Sequence, residues 1–163
     1  MSNDELLHRI QDLEDLAGIR QLKADYFAAC DAKDSAGMRA CFVDGPVQID
    51  YGPIGCFDTA DALVKIFVEL GCHPHIVDMH HGSNPHLELL DAGRARGAWS
   101  LYFQQINTRE HTLTQLGGRY ADEYRKVGGA WKISSTVFTR TSVMVLNLAG
   151  ESVRPVFAGR DMP

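Results

Sequence analysis

Residues 117–135 read GGRYADEYRKVGGAWKISS. Gly128-Gly129 separates two runs rich in aromatic and β-forming residues, the pattern of a hairpin closed by a tight turn. The first arm runs from Gly117 to Val127 and the second from Trp131 to about Leu146. Working back from the hairpin, Ala95 to about Asn107 reads as another long strand, entered through a turn at Asp91-Ala92-Gly93. Two shorter strands, Ile76–His81 and Pro85–Leu90, come before it. Strands linked by hairpins pair antiparallel.

Ahead of these strands the periodicity changes. Leu13, Leu16, Ile19, Leu22, Tyr26 and Cys30 recur at three- and four-residue spacing, which predicts one long amphipathic helix from Leu6 to Cys30. Gly18 is its weak point. Asp34 or Ser35 can cap a short helix over Ala36–Cys41, and Val47–Tyr51 reads as a short strand. Asp58 or Thr59 can cap a further helix whose stripe holds Ala62, Leu63, Ile66, Phe67 and Leu70. A helical half followed by a run of strands predicts an α+β fold, with helices packed on a curved, mainly antiparallel sheet. Long strands twist and curl, so the expected product is a cone-shaped barrel around a central cavity. Residues 1–163 are expected to form a single domain, with a tail over 146–163.

At 163 residues, 45% hydrophobic and 23% charged, the composition is that of a globular domain. A net charge of −5 argues against the basic face that nucleic-acid binding needs, so no nucleic-acid partner is expected. No apolar run approaches the length of a membrane span, so no membrane partner is expected. The acidic start, MSNDELLHR, lacks the apolar core of a signal peptide. Cys30, Cys41, Cys56 and Cys72 form no CxxC pair and read as reduced thiols, which predicts a cytoplasmic protein.

The chemistry concentrates in two places. His73–His86, HPHIVDMHHGSNPH, holds five of the seven histidines, and histidine is the default proton-transfer group near neutral pH. Strand alternation puts His75, Val77, Met79 and His81 on one face and Ile76, Asp78 and His80 on the other. Val77 and Met79 mark the first face as apolar, so His81 is expected inside and His80 outside. His81 then reads as either a satisfied core histidine or a catalytic base. The second place is the end of the long helix. Tyr26 lies on the apolar stripe, either as a core tyrosine or as a phenol at the floor of the cavity. Asp31 sits where the helix dipole disfavours a carboxylate, which leaves a solvated turn residue or a paired, functional one. Adjacent His80 and His81 point opposite ways, and His75 lies roughly 20 Å from His81 along an extended strand. No metal is expected on such spacing. There is no phosphate-binding glycine loop and no serine nucleophile elbow, so no cofactor is expected either.

Four segments resemble a known family: LEDLAGIRQLKADYFAACDAKD (residues 13–34), CFVDGPVQID (41–50), HHGSNPHLELLDAGRARGAW (80–99) and GGRYADEYRKVGGAWKISS (117–135). Together they resemble the SnoaL-like group of the nuclear-transport-factor-like, cystatin-like α+β cone superfamily, over about residues 5–142. Within it the chain looks most like the scytalone dehydratase and bile-acid dehydratase branch. That resemblance implies metal-free elimination of water by Tyr26, Asp31 and His81. The bile-acid dehydratase also carries a second aspartate on the strand after the histidine. Here that strand reads Tyr102-Phe103-Gln104-Gln105, with Gln104 in the place of the acid.

The expectation is a cofactor-free lyase or isomerase acting on a hydrophobic cyclic substrate such as a steroid, polyketide or aromatic compound. His81 would take the proton, Asp31 would stabilise the imidazolium, and Tyr26 would bind the developing oxyanion. Tyr51, Asn84 and Gln104 are the expected substrate-binding residues. The alternative is a non-catalytic relative, either a small subunit of a ring-hydroxylating dioxygenase or a ligand-binding protein. Trp99 and Tyr102 fall on opposite faces of one strand, which predicts a homodimer or homotrimer packed through the sheet. Val153–Phe157 is apolar enough to dock, over the cavity mouth or on a neighbouring subunit.

Overall fold

The computed structural model describes residues 2–150 and 153–159. Helix α1 (Asn3–Asp31) starts at Ser2, whose hydroxyl accepts the Glu5 N–H at 3.1 Å. Asp4 and Glu5 in its first turn complement the dipole. It runs unbroken through Gly18, where a Cβ would meet the Trp131 ring at 3.2 Å. The glycine admits the indole rather than breaking the helix. Burial begins at Asp15, and Leu6, Leu7, Ile10 and Leu13 on the first turns are exposed. Asp15 fastens the helix to the sheet by accepting from Lys126 Nζ at 2.5 Å and Trp131 Nε1 at 2.9 Å.

Asp34 caps α2 (Ser35–Ala40), accepting the Gly37 N–H at 2.9 Å. Strand β1 (Pro46–Asp50), a 3₁₀ turn at Gly52–Ile54 and β2 (Cys56–Thr59) follow. Thr59 then caps α3 (Ala60–Gly71). The rest is β3 (Ile76–Asp91), β4 (Arg94–Asn107), β5 (Thr112–Val127), β6 (Ala130–Asn147) and β7 (Arg154–Gly159). The expected pair of short strands before the Asp91 turn is one strand, β3. It carries a bulge between Ser83 and His86, where Asn84 adopts a φ of 50° and Pro85 offers no N–H. An edge strand tolerates both.

The sheet runs β2-β1-β6-β5-β4-β3. It is curved, unclosed and mixed, because β1 pairs with β6 in parallel while the other neighbours are antiparallel. Gly128 and Gly129, at φ 58° and 85°, close the β5–β6 hairpin as the glycine pair requires. β5 lies along the whole of β6 on one side. The other side takes β1 at Ser135–Val137 and β7 at Val143–Asn147. The apolar tail therefore docks as a strand on β6, not as a cover over the cavity. The rest of the expected tail, Glu151, Ser152 and residues 160–163, lies outside the described residues. Among the described residues, no helix is long and apolar enough to cross a membrane.

Helices α1 and α3 cover the concave face of the sheet. There Trp99, Leu101, Tyr120, Tyr124, Ile133 and Tyr26 share one core. Inward positions are odd-numbered on β4 and even-numbered on β5, since Trp99 pairs with Tyr120.

Candidate active site

Strand β3 is the last in the sheet, so its outer N–H groups have no ladder partner. Asp31, the final residue of α1, takes one of them. Its Oδ2 accepts the His80 backbone N–H at 3.1 Å, and its Oδ1 bonds His80 Nδ1 at 2.6 Å. One carboxylate thus fixes both the backbone and the ring of His80, and these donors offset the unfavourable helix-dipole position. The ring is stacked on Phe27, with centroids 5.6 Å apart, and tilted against Phe103 at 4.6 Å. With Nδ1–H given to the carboxylate, Nε2 is the basic nitrogen left for the cavity.

That cavity has a volume of about 390 Å³. Its wall is mostly apolar, with Leu63, Ile66, Phe67, Leu101, Leu116 and Phe138. The polar side chains that reach it are Tyr26, Tyr51, Asp78, His80, Gln105 and Tyr120. The Tyr26 and Tyr51 hydroxyls are 2.8 Å apart. Either phenol can donate that bond. Burial, followed by the neighbouring Tyr51, pushes the Tyr26 phenol well above its usual range. Burial raises Tyr51 and Tyr120 as well. All three stay protonated at neutral pH, so each is able to donate a hydrogen bond. Cys30, beside them, is pushed by burial to about 12 and is an inert thiol.

Behind the phenols lies a buried ion pair. Lys23 Nζ bonds Asp122 Oδ2 at 2.8 Å, with side-chain exposures of 1% and 0%. Asp122 also accepts from Tyr124 at 2.8 Å and from Thr136 at 2.7 Å, and Trp99 Nε1 donates to the Tyr124 hydroxyl. The ammonium lies 3.7 Å from the Tyr120 ring centroid. Burial lowers the Lys23 pKa and Asp122 opposes it. A carboxylate with three donors holds the lysine charged, so the pair is a fixed dipole beneath the cavity wall.

Tyr26 and Tyr51 are where the sequence puts them, in the cavity, and Asp31 is paired. Three expectations shift. The histidine that Asp31 binds is His80, and His81 is exposed on the outer face of β3. Gln104 shares that outer face with its cross-strand neighbour Met79, and Gln105 lines the cavity in its stead. Asn84 is exposed in the bulge, away from the cavity lining. The first two corrections have a single cause. Alternation groups these residues by face as expected, but Val77 and Met79 face out, 49% and 37% exposed. The signal that could have reversed the choice is Gly82, on the His80 side. A Cβ there would lie 2.3 Å from Phe27, so that face must take the helix. Asp78, Lys33 and the Lys23–Asp122 pair were not anticipated. Two more open depressions, about 540 and 550 Å³, adjoin Asp15 and the outer-face residue Glu88, and neither includes Tyr26, Asp31 or His80.

Helices over a curved, unclosed sheet with the pocket between them are the architecture of the nuclear-transport-factor-like, cystatin-like superfamily. Within it, the chain belongs to the SnoaL-like domain family, which matches residues 11–137. Its fold is similar to that of a provisional scytalone dehydratase from Novosphingobium aromaticivorans, at TM-score 0.76 and 22% identity over 91% of this chain and 97% of that one. It is similar also to a type 2 hexachlorocyclohexane dehydrochlorinase, LinA, at TM-score 0.74 and 17% identity over 95% and 97%. A third similar structure is a provisional aromatic ring hydroxylase from Novosphingobium aromaticivorans, at TM-score 0.70 and 16% identity over 88% and 94%. At these identities the likeness is one of fold.

Proposed function

We propose that the chain is a cofactor-free lyase or isomerase of the dehydratase kind, acting on a small hydrophobic cyclic substrate. The observation that carries this reading is the 2.6 Å bond from Asp31 to His80 at the wall of an apolar cavity that also holds the Tyr26–Tyr51 phenols. His80 Nε2 takes a proton beside a ring carbonyl, and Asp31 stabilises the imidazolium. A phenol proton meets the oxygen on which the enolate charge develops. In an elimination, the imidazolium returns its proton to the departing hydroxyl, which leaves as water. In an isomerisation, it returns the proton to another ring carbon.

A homodimer or homotrimer is part of the same proposal. Val77, Ile106, Leu113 and Leu146 are successive cross-strand partners on the outer face. With Met79 and the 44%-exposed Tyr102 they make an apolar surface of the kind that subunits cover.

The test uses cyclic β-hydroxy ketones of one to three rings in D₂O, followed by proton NMR. Loss of water, or exchange at the ring carbon beside the carbonyl, is expected with the wild-type protein and not with His80→Ala. Equal turnover by the two proteins would contradict the proposal.

A further inference from the structure

The apolar wall is interrupted at one place that the reaction does not use. Asp78 lies two residues before His80 on β3, on the same face, with its side chain only 7% exposed. Lys33 Nζ bonds its Oδ2, and Gln105 Nε2 donates to its Oδ1 at 2.9 Å. Gln105 is the cross-strand partner of Asp78, so the two enter the cavity side by side. Lys33 reaches them from the turn after α1, where it takes a φ of 60°, uncommon for a side-chain-bearing residue.

Each oxygen of Asp78 has spent one acceptor position on a protein donor, and each keeps a second. Gln105 keeps its carbonyl oxygen and one N–H. Lys33 balances the carboxylate's charge in the apolar wall. The acceptors left at the cluster therefore outnumber its one remaining donor at the cavity wall. A ring bearing a hydroxyl satisfies them. A ring without one strips their water and gives nothing back.

Spacing narrows the ligand further. Residues i and i+2 on a strand are roughly 7 Å apart, about the span of one six-membered ring with substituents at opposite ends. We propose that Asp78, set by Lys33 and Gln105, is a specificity subsite for a hydrogen-bond donor on the substrate, a phenolic or alicyclic hydroxyl about one ring's width from the carbon that His80 deprotonates. This rests on the proposed use of the cavity for a cyclic ligand, but not on any turnover.

The probes are 2-naphthol and 2-methoxynaphthalene, equal in ring system and different in the donor, measured by isothermal titration calorimetry. Wild-type protein is expected to bind the naphthol at least about tenfold more tightly, the worth of one hydrogen bond to a charged acceptor. In Lys33→Met/Asp78→Leu, which removes both charges together, the preference should vanish or reverse. Gln105→Leu, a milder change, should reduce it and serves if the double variant does not fold. Equal affinities in the wild type, no binding of either probe, or a preference that survives both variants would each overturn the subsite. His80→Ala separates the two proposals, since it should keep the naphthol preference while losing turnover. If the preference is found but no cyclic ketone is ever turned over, the reaction is wrong and the subsite stands.

Discussion

The two faces of strand β3 carry the same number of polar and apolar surprises, in opposite places. The inner face presents Asp78, His80 and Gly82 to the helices and cavity, and the outer face presents Val77, Met79 and His81 to solvent. An ordinary half-buried strand would turn Asp78 and His80 outward and Val77 and Met79 inward. The inner face is polar because it is the candidate site, where a carboxylate and an imidazole are held by partners. The outer face carries an apolar row across four strands, Val77, Ile106, Leu113 and Leu146. Hydrophobic alternation reports which residues share a face, but it names the buried face only when a single face is buried.

The comparison breaks most sharply at the two adjacent histidines. His80→Ala is expected to lower turnover of a cyclic ketone by about 10²–10⁴-fold, the usual worth of a positioned general base. His81→Ala should stay within about twofold. Steady-state rates on purified variants give both numbers, and the reverse ranking would exchange the faces.

A second contrast lies one residue apart on β5. Asp122→Ala leaves the Lys23 ammonium buried without its partner and should cost about 3–5 kcal/mol in urea unfolding. Glu123, next in the chain and exposed, should cost no more than about 0.5 kcal/mol on the same change. Comparable losses would mean that the interior network is not what holds β5 against α1.

The phenols give a pH signature. Tyr26 is raised above its ordinary value of 10.0 by burial, so its contribution to stability is complete below pH 10. That contribution is lost as pH rises through the folded-state value, because the unfolded chain ionises first. Thermal unfolding should therefore be flat with respect to these groups from neutral pH to about pH 9 and weaken above pH 10. Tyr26→Phe should shrink the alkaline loss and slow turnover about tenfold or more. A wild-type melting temperature that rises above pH 10 would contradict the burial argument.

The smallest effect on chemistry should come from the outer face. Val77→Ser/Met79→Ser is expected to shift the protein toward monomer in light scattering while leaving activity per chain within about threefold. An assembly unchanged by this pair would remove the outer face as the subunit contact.

Much of this was legible in advance because local signals agreed. Capping at Asp34 and Thr59, the Gly128-Gly129 turn and the α1 stripe each specify an element without tertiary help. Tyr26 was readable as well, since a tyrosine on a buried stripe needs a partner. The handedness of the β3 and β4 faces was not. Val77, Met79, Tyr102 and Ile106 mimic a core stripe. What decides the matter is the long-range approach of Phe27 over Gly82 and of Asp31 to His80, neither of which has a periodic trace. Gln105 was missed in favour of Gln104 by that same one-residue inversion, carried across the ladder.

The most direct measurement is the ring tautomer of these two histidines, read by long-range ¹H–¹⁵N NMR on labelled protein with and without a cavity ligand such as 2-naphthol. His80 should appear as the Nδ1–H form held by Asp31, with its Nε2 resonance moving when the ligand binds, while His81 behaves as a solvent-exposed ring that does not respond. If His81 holds a fixed tautomer and shifts with ligand while His80 averages freely, the assignment of the inner face, and the base with it, is refuted.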